Sequence, residues 1–196
     1  MRAPFQRTVG GPSLSMARGA HRFVWNLSVD AEGAGFAGGP RVVPGNYHAR
    51  LTVDGQEMDQ WFEVKIDPRV AEDGVTVADI QEQFDLSLQI LAAMGDATAT
   101  IEQVQGAMES AADGSSVADQ LEEIHAAFVT DQTISSYPQP MLAAQLSYLY
   151  SSLQRADQKP GVDQYERLET LQAELEAHKA RLERLLRTIT EDGAGL

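Results

Sequence analysis

Two periodicities divide the chain. Up to Asp67-Pro68-Arg69 the apolar residues recur at every second position, and beyond it they recur at intervals of three and four, so the pattern predicts strands followed by helices. In the first part Phe23, Trp25, Leu27 and Val29 fall on one face of an extended segment from His21 to Val29, which predicts a strand with one buried side. The glycine-rich stretch from Ala31 to Pro40 reads as a loop. After Pro44-Gly45, Tyr47, Ala49, Leu51 and Val53 share a face, and in the run Glu57 to Ile66 it is Phe62, Val64 and Ile66 that alternate. Asp54-Gly55 stands between these runs. A two-residue type I′ loop needs positive φ at both positions, so Asp-Gly there predicts a β-hairpin. Three or four strands with inward aromatics point to an antiparallel immunoglobulin- or fibronectin-like sandwich, yet a complete one takes about 100 residues. The β module 21–69 is therefore expected to be incomplete, with its open face packed on the helices or met by strands from outside this chain. Residues 1–20, rich in Gly, Pro and Ser, predict a flexible N-terminal segment.

Residues 70–196 predict a bundle of about four helices. Thr76-Val77-Ala78-Asp79 has the form of a helix cap, and Val77, Ile80, Phe84, Leu91, Met94, Ile101 and Met108 then follow helical spacing as far as Asp113-Gly114. At about 1.5 Å per residue this is a rod of roughly 50 Å. Ser116-Val117-Ala118-Asp119 repeats the cap, with Val117, Leu121, Ile124 and Phe128 as the stripe of a second helix. Pro140 suits the first position of a third, whose stripe is Leu142, Leu146, Leu149 and Leu153; Lys159-Pro160-Gly161 ends it. In the last helix Leu168, Leu171, Leu175, His178, Leu182, Leu185 and Ile189 form a coiled-coil seam, to be satisfied within the chain or by a second copy in a homodimer. The fold class is thus α+β in two modules, a partial sandwich followed by long helices.

Charge follows the same boundary. Positions 1–70 carry 8 Lys/Arg against 7 Asp/Glu, so the net charge of -14 leaves -15 for positions 71–196. An acidic chain repels phosphate backbones, which excludes nucleic acid as a partner. There is no cysteine, hence no disulfide and no thiolate chemistry. No stretch reaches the roughly 20 apolar residues of a membrane span, and Met-Arg-Ala-Pro-Phe-Gln-Arg lacks the apolar core of a secretory signal.

Candidate chemistry is sparse. His21, His48, His125 and His178 are scattered without the spacing of a helical zinc site, and no nucleophile elbow, phosphate loop or dinucleotide fingerprint occurs. No catalytic, metal or cofactor residue is assigned. Trp25 shares the parity of Phe23 and Leu27 and reads as core. Trp61 is out of phase with Phe62 and Val64, so it points outward, where an indole can meet a protein or stack on a sugar ring. Tyr137, Tyr148 and Tyr150 cluster around the third helix, packing it or its junction with the sheet. Trp61 and these three tyrosines are the candidate interface residues.

The run Gly19 to Leu27, then Gly39-Pro40, Pro44-Gly45-Asn46-Tyr47 and Leu51-Thr52-Val53-Asp54-Gly55, then Val64 to Arg69, resembles the C-terminal region of bacterial sortilin-like proteins with Asp-box (BNR) repeats, often labelled glycosyl hydrolase or sialidase-like. Tyr137-Pro138-Gln139-Pro140-Met141, Gln145 to Tyr150 and Ala156 to Gly161 resemble the same region, so the likeness runs from about residue 19 to near 190. Asn26 stands where the family's wording has Asp, and no Ser-x-Asp-x-Gly-x-x-Trp box occurs, so the family's enzyme labels do not transfer. The resemblance implies an exported protein and a non-catalytic module serving assembly, docking or support of a propeller lying outside this sequence. The alternatives are a sugar-contacting accessory part of a secreted glycoside hydrolase and a truncated gene product without an independent job.

Overall fold

The computed structural model describes residues 17–30, 39–112, 114–131, 133, 136 and 138–193, with side chains as far as Thr188. The fold is mixed: a two-stranded antiparallel sheet followed by five helices. Strands β1 (Gly45–Val53) and β2 (Gln56–Val64) pair in the register Gly45↔Val64 to Val53↔Gln56. At the tip Asp54 and Gly55 have φ of 50° and 78°, the left-handed pair that a type I′ loop requires. The hairpin is where the Asp-Gly signal put it.

The strand expected over His21 to Val29 does not form. Leu27 takes a φ of 59°, which breaks the pleat. A single bridge, Ser28↔Arg41, remains, made by Val29 N–H to Pro40 O (3.0 Å) and Val42 N–H to Leu27 O (2.8 Å). Phe23 is 54% exposed and Leu27 is also exposed, so the alternating run has no buried side. Trp25 turns onto the hairpin, edge-on to Tyr47 and Phe62 at 5.5 and 6.1 Å between ring centroids. Its indole N–H donates to Ser28 O at 3.0 Å. The described sheet stops at two strands.

A one-turn helix α1 (Pro68–Glu72) occupies the boundary that the sequence marked only as a break. Asp67 caps it and Pro68 opens it, because a proline costs nothing where the backbone N–H has no partner anyway. Helix α2 (Val77–Ser110) begins at a full capping box, in which Thr76 Oγ1 accepts from Asp79 N–H and the Asp79 carboxylate accepts from Thr76 N–H. Helices α3 (Ser116–Phe128), α4 (Leu142–Leu153) and α5 (Val162–Gly193) follow. The α3 cap is Ser115, one residue before the expected one, and Pro140 lies just ahead of α4 instead of inside it.

These four helices share one apolar core. Leu121, Ile124 and Phe128 of α3, Leu142, Leu146 and Leu153 of α4, and Leu171 of α5 are fully buried, each such side chain stabilising the fold by about 1.5–3 kcal/mol. The central helix α2 packs against the other three and therefore buries more than one stripe. Ile80, Phe84 and Leu91 are buried as expected, and Leu86, Ile90, Ala97 and Val104 join them; Val77 is exposed. The α5 seam of Leu168, Leu171, Leu175, Leu182 and Leu185 lies inside this core, so among the described residues it is satisfied within the chain. Ile189 falls outside the described side chains. No described helix is long and apolar enough to cross a membrane.

One buried polar group orders the helices. Gln83 Nε2 donates to Leu153 O and to Ala156 O (2.7 Å), Gln83 Oε1 accepts from Gln158 N–H (3.2 Å), and Gln154 Nε2 reaches the neighbouring Ser87 Oγ at 2.7 Å. Every bond needed by the Gln83 amide is thus made at the turn between α4 and α5, which fixes that turn on α2.

Candidate functional site

Alternation along the hairpin gives it two unlike faces. Tyr47, Ala49, Leu51 and Val53 of β1 stand opposite Phe62, Gln60, Met58 and Gln56 of β2 on one face. The other face pairs His48 with Trp61, Arg50 with Asp59 and Thr52 with Glu57. At the base of the first face Trp25, Tyr47 and Phe62 close an aromatic cluster, and Tyr47 donates its hydroxyl to Val43 O at 2.6 Å while burial raises its pKa. Toward the tip the cover ends. Leu51, Val53, Met58 and Phe62 are all exposed, and neither strand contains a buried residue.

The second face is held by charge. Arg50 makes a two-pronged contact with Asp59, Nε to Oδ1 at 2.9 Å and a terminal nitrogen to Oδ2 at 3.2 Å, and also reaches Glu57 at 3.1 Å. His48 Nε2 approaches Asp59 Oδ1 at 3.0 Å. The Arg50 hydrogen bond, helped by its charge and by His48, holds the Asp59 carboxyl below its ordinary pKa. Trp61 lies beside this group, 67% exposed, with its ring 4.7 Å from that of His48. An exposed indole next to a carboxylate and a guanidinium can take an apolar plane and hydrogen-bond to its rim.

The tyrosines separate. Tyr148 is exposed on α4, Tyr150 is buried in the helical core with its phenol pushed up to about 12, and Tyr137 lies outside the described residues. Tyr150 therefore packs the helices and offers no surface, because a residue two positions along a helix from Tyr148 turns to a different side. His178 sits partly buried, edge-on to Phe128 at 5.5 Å, as a packing residue. Among the described residues no group of three His, Asp or Glu side chains gathers as a metal site. The cleft where Pro40 and Arg41 meet Phe84 and Gln154 has about 10 Å³ of free space, room for one water. Arg41 spans its mouth to Asp157 at 3.8 Å.

The apolar face was visible in the alternation of β1; the Arg50–Asp59–His48 group was implicit in the two-residue Asp54-Gly55 loop, which sets Arg50 opposite Asp59, but no motif singles it out. Compared with protein-family models, with curated proteins and with solved structures, the chain matches none of them.

Proposed function

We propose that this chain is a non-catalytic interaction module of a sortilin-like propeller protein, in which the helical bundle is a rigid base and the hairpin is the part that docks. The observation that carries this reading is the exposed row of Leu51, Val53, Met58 and Phe62 on a two-stranded ribbon. An isolated hairpin is marginal in water, and its apolar side gains stability only when a further strand or another layer covers it. A neighbouring β module that completes a sandwich would supply that cover. Hydrogen exchange on the full chain, with and without a recombinant sortilin-like propeller, tests the docking: the Gln56–Val64 amides gain protection and those of α5 do not. An unchanged hairpin in the presence of the propeller overturns the reading. Nile red checks the surface itself, since the dye should bind the wild type and be lost in Leu51→Ser/Met58→Ser.

A second reading, a sugar-contacting accessory surface, is supported by Trp61 standing exposed beside Asp59 and Arg50. Oligosaccharides should then shift the emission of the wild type and leave Trp61→Ala unaffected. A glycan array without a binder removes this alternative.

A further inference from the structure

We infer that the outer edge of β2 accepts an extended segment from a partner, one that alternates aliphatic residues with lysine or arginine. The inference rests on the docking role proposed above and names the chemistry of what docks. A two-residue loop closes on a hydrogen-bonded pair, here Val53↔Gln56, and such pairs alternate with non-bonded ones along an antiparallel ladder. Glu57, Asp59, Trp61 and Glu63 therefore turn their N–H and C=O groups away from β1. The side chain of Gln60 marks the direction, since its amide donates to Trp61 O at 2.8 Å. Among the described residues no backbone bond from another segment reaches β2, whereas the chain leading into β1 is already bonded by Leu27 and Val29.

Side chains then define the guest. On the polar face β2 presents Glu57, Asp59 and Glu63, and on the apolar face Met58 and Phe62. The strand β2 already accepts on its inner edge, β1, answers this pattern: Arg50 and His48 meet Asp59 and Glu57, while Leu51 and Tyr47 lie over Met58 and Phe62. Asp59, Glu57 and Glu63 already meet Arg50, His48 and Lys65, and each carboxylate oxygen can accept a further donor. A guest of the same pattern would satisfy both faces, its backbone supplying the ladder and its alternate side chains the selectivity. A second copy fits less well. Two β2 edges would oppose Glu57, Asp59 and Glu63 to one another, on chains that each carry a net charge of -14.

The test uses the full chain and two capped peptides of about ten residues, one alternating lysine with valine and one alternating glutamate with valine. Amide exchange is followed by NMR, with the cross-strand β1–β2 contacts confirming that the hairpin is intact. The lysine peptide should slow exchange at Glu57, Asp59, Trp61 and Glu63 by about tenfold, less as salt is added, and the glutamate peptide should leave it unchanged. Glu57→Lys/Glu63→Lys should reverse the preference. No slowing with either peptide, equal slowing with both, or slowing that depends on protein concentration without peptide overturns the inference; the last outcome assigns the edge to a second copy. If the peptides fail while the propeller still protects Gln56–Val64, the edge proposal falls and the docking reading stands. If the propeller fails as well, both fall.

Discussion

The hairpin and the helices are built from the same kinds of apolar residue, and only the helices bury them. Leu146 and Leu153 reach zero exposure because α4 meets α2, α3 and α5 at once, so each leucine finds partners on several sides. Leu51 and Met58 stand opposite one another across a single ladder and stay exposed. Closure, not composition, separates the two regions. A core needs a second layer, and a ribbon of two strands cannot fold over itself to make one.

Substitutions can widen or erase that contrast. Phe128→Ala removes a fully buried ring from the helical core and should cost about 3–5 kcal/mol in chemical denaturation followed by helical circular dichroism. Leu51→Ser on the hairpin should stay within about 0.5 kcal/mol in the same assay; equal costs would abolish the distinction. Gln83→Ala strips the turn after α4 of its partners and should cost about 1–3 kcal/mol, with faster amide exchange around Gln158.

Smaller effects should stay local. Gly55→Ala places a side chain at a φ of 78° and should weaken the hairpin by roughly 1–2 kcal/mol, seen as faster exchange along Gln56–Val64 with an unaltered helical melt. If the helices melt earlier too, the two regions are coupled more tightly than the packing implies. The smallest effect is a pH slope. Arg69, through its side chain and its backbone N–H, depresses the Asp67 carboxyl from 3.8 to about 2. A depressed carboxylate stabilises the fold above its unfolded pKa, so the contribution is present above pH 4 and fades as the pH falls toward 2. Asp67→Asn should flatten this part of the acid titration for α1, read by NMR; an identical slope in the variant would remove Asp67 as its source.

Sequence periodicity gave away whatever depends on neighbours along the chain. Asp54-Gly55, the Thr76–Asp79 box and the leucine stripes of α4 and α5 are local or nearly so, and each lies where the pattern placed it. The Phe23–Val29 run misled because alternation is necessary for a strand but not sufficient: pairing partners must exist, and Leu27 takes a φ that ends the pairing. The extra buried face of α2, with Leu86, Ile90 and Ala97, was hidden because a helix packed on three sides has no single stripe. Gln83 was invisible for a related reason. A glutamine among polar neighbours declares nothing until the carbonyls of Leu153 and Ala156 arrive from some 70 residues away.

Gln83 also has a practical side for anyone engineering this chain. Its amide measures the span of the turn after α4, so lengthening that turn by even one residue would pull Ala156 and Gln158 out of reach and unseat the start of α5. The tip at Asp54-Gly55 has no such tether. A reporter, affinity handle or fluorophore spliced in there would ride on the ribbon while the helices keep their arrangement.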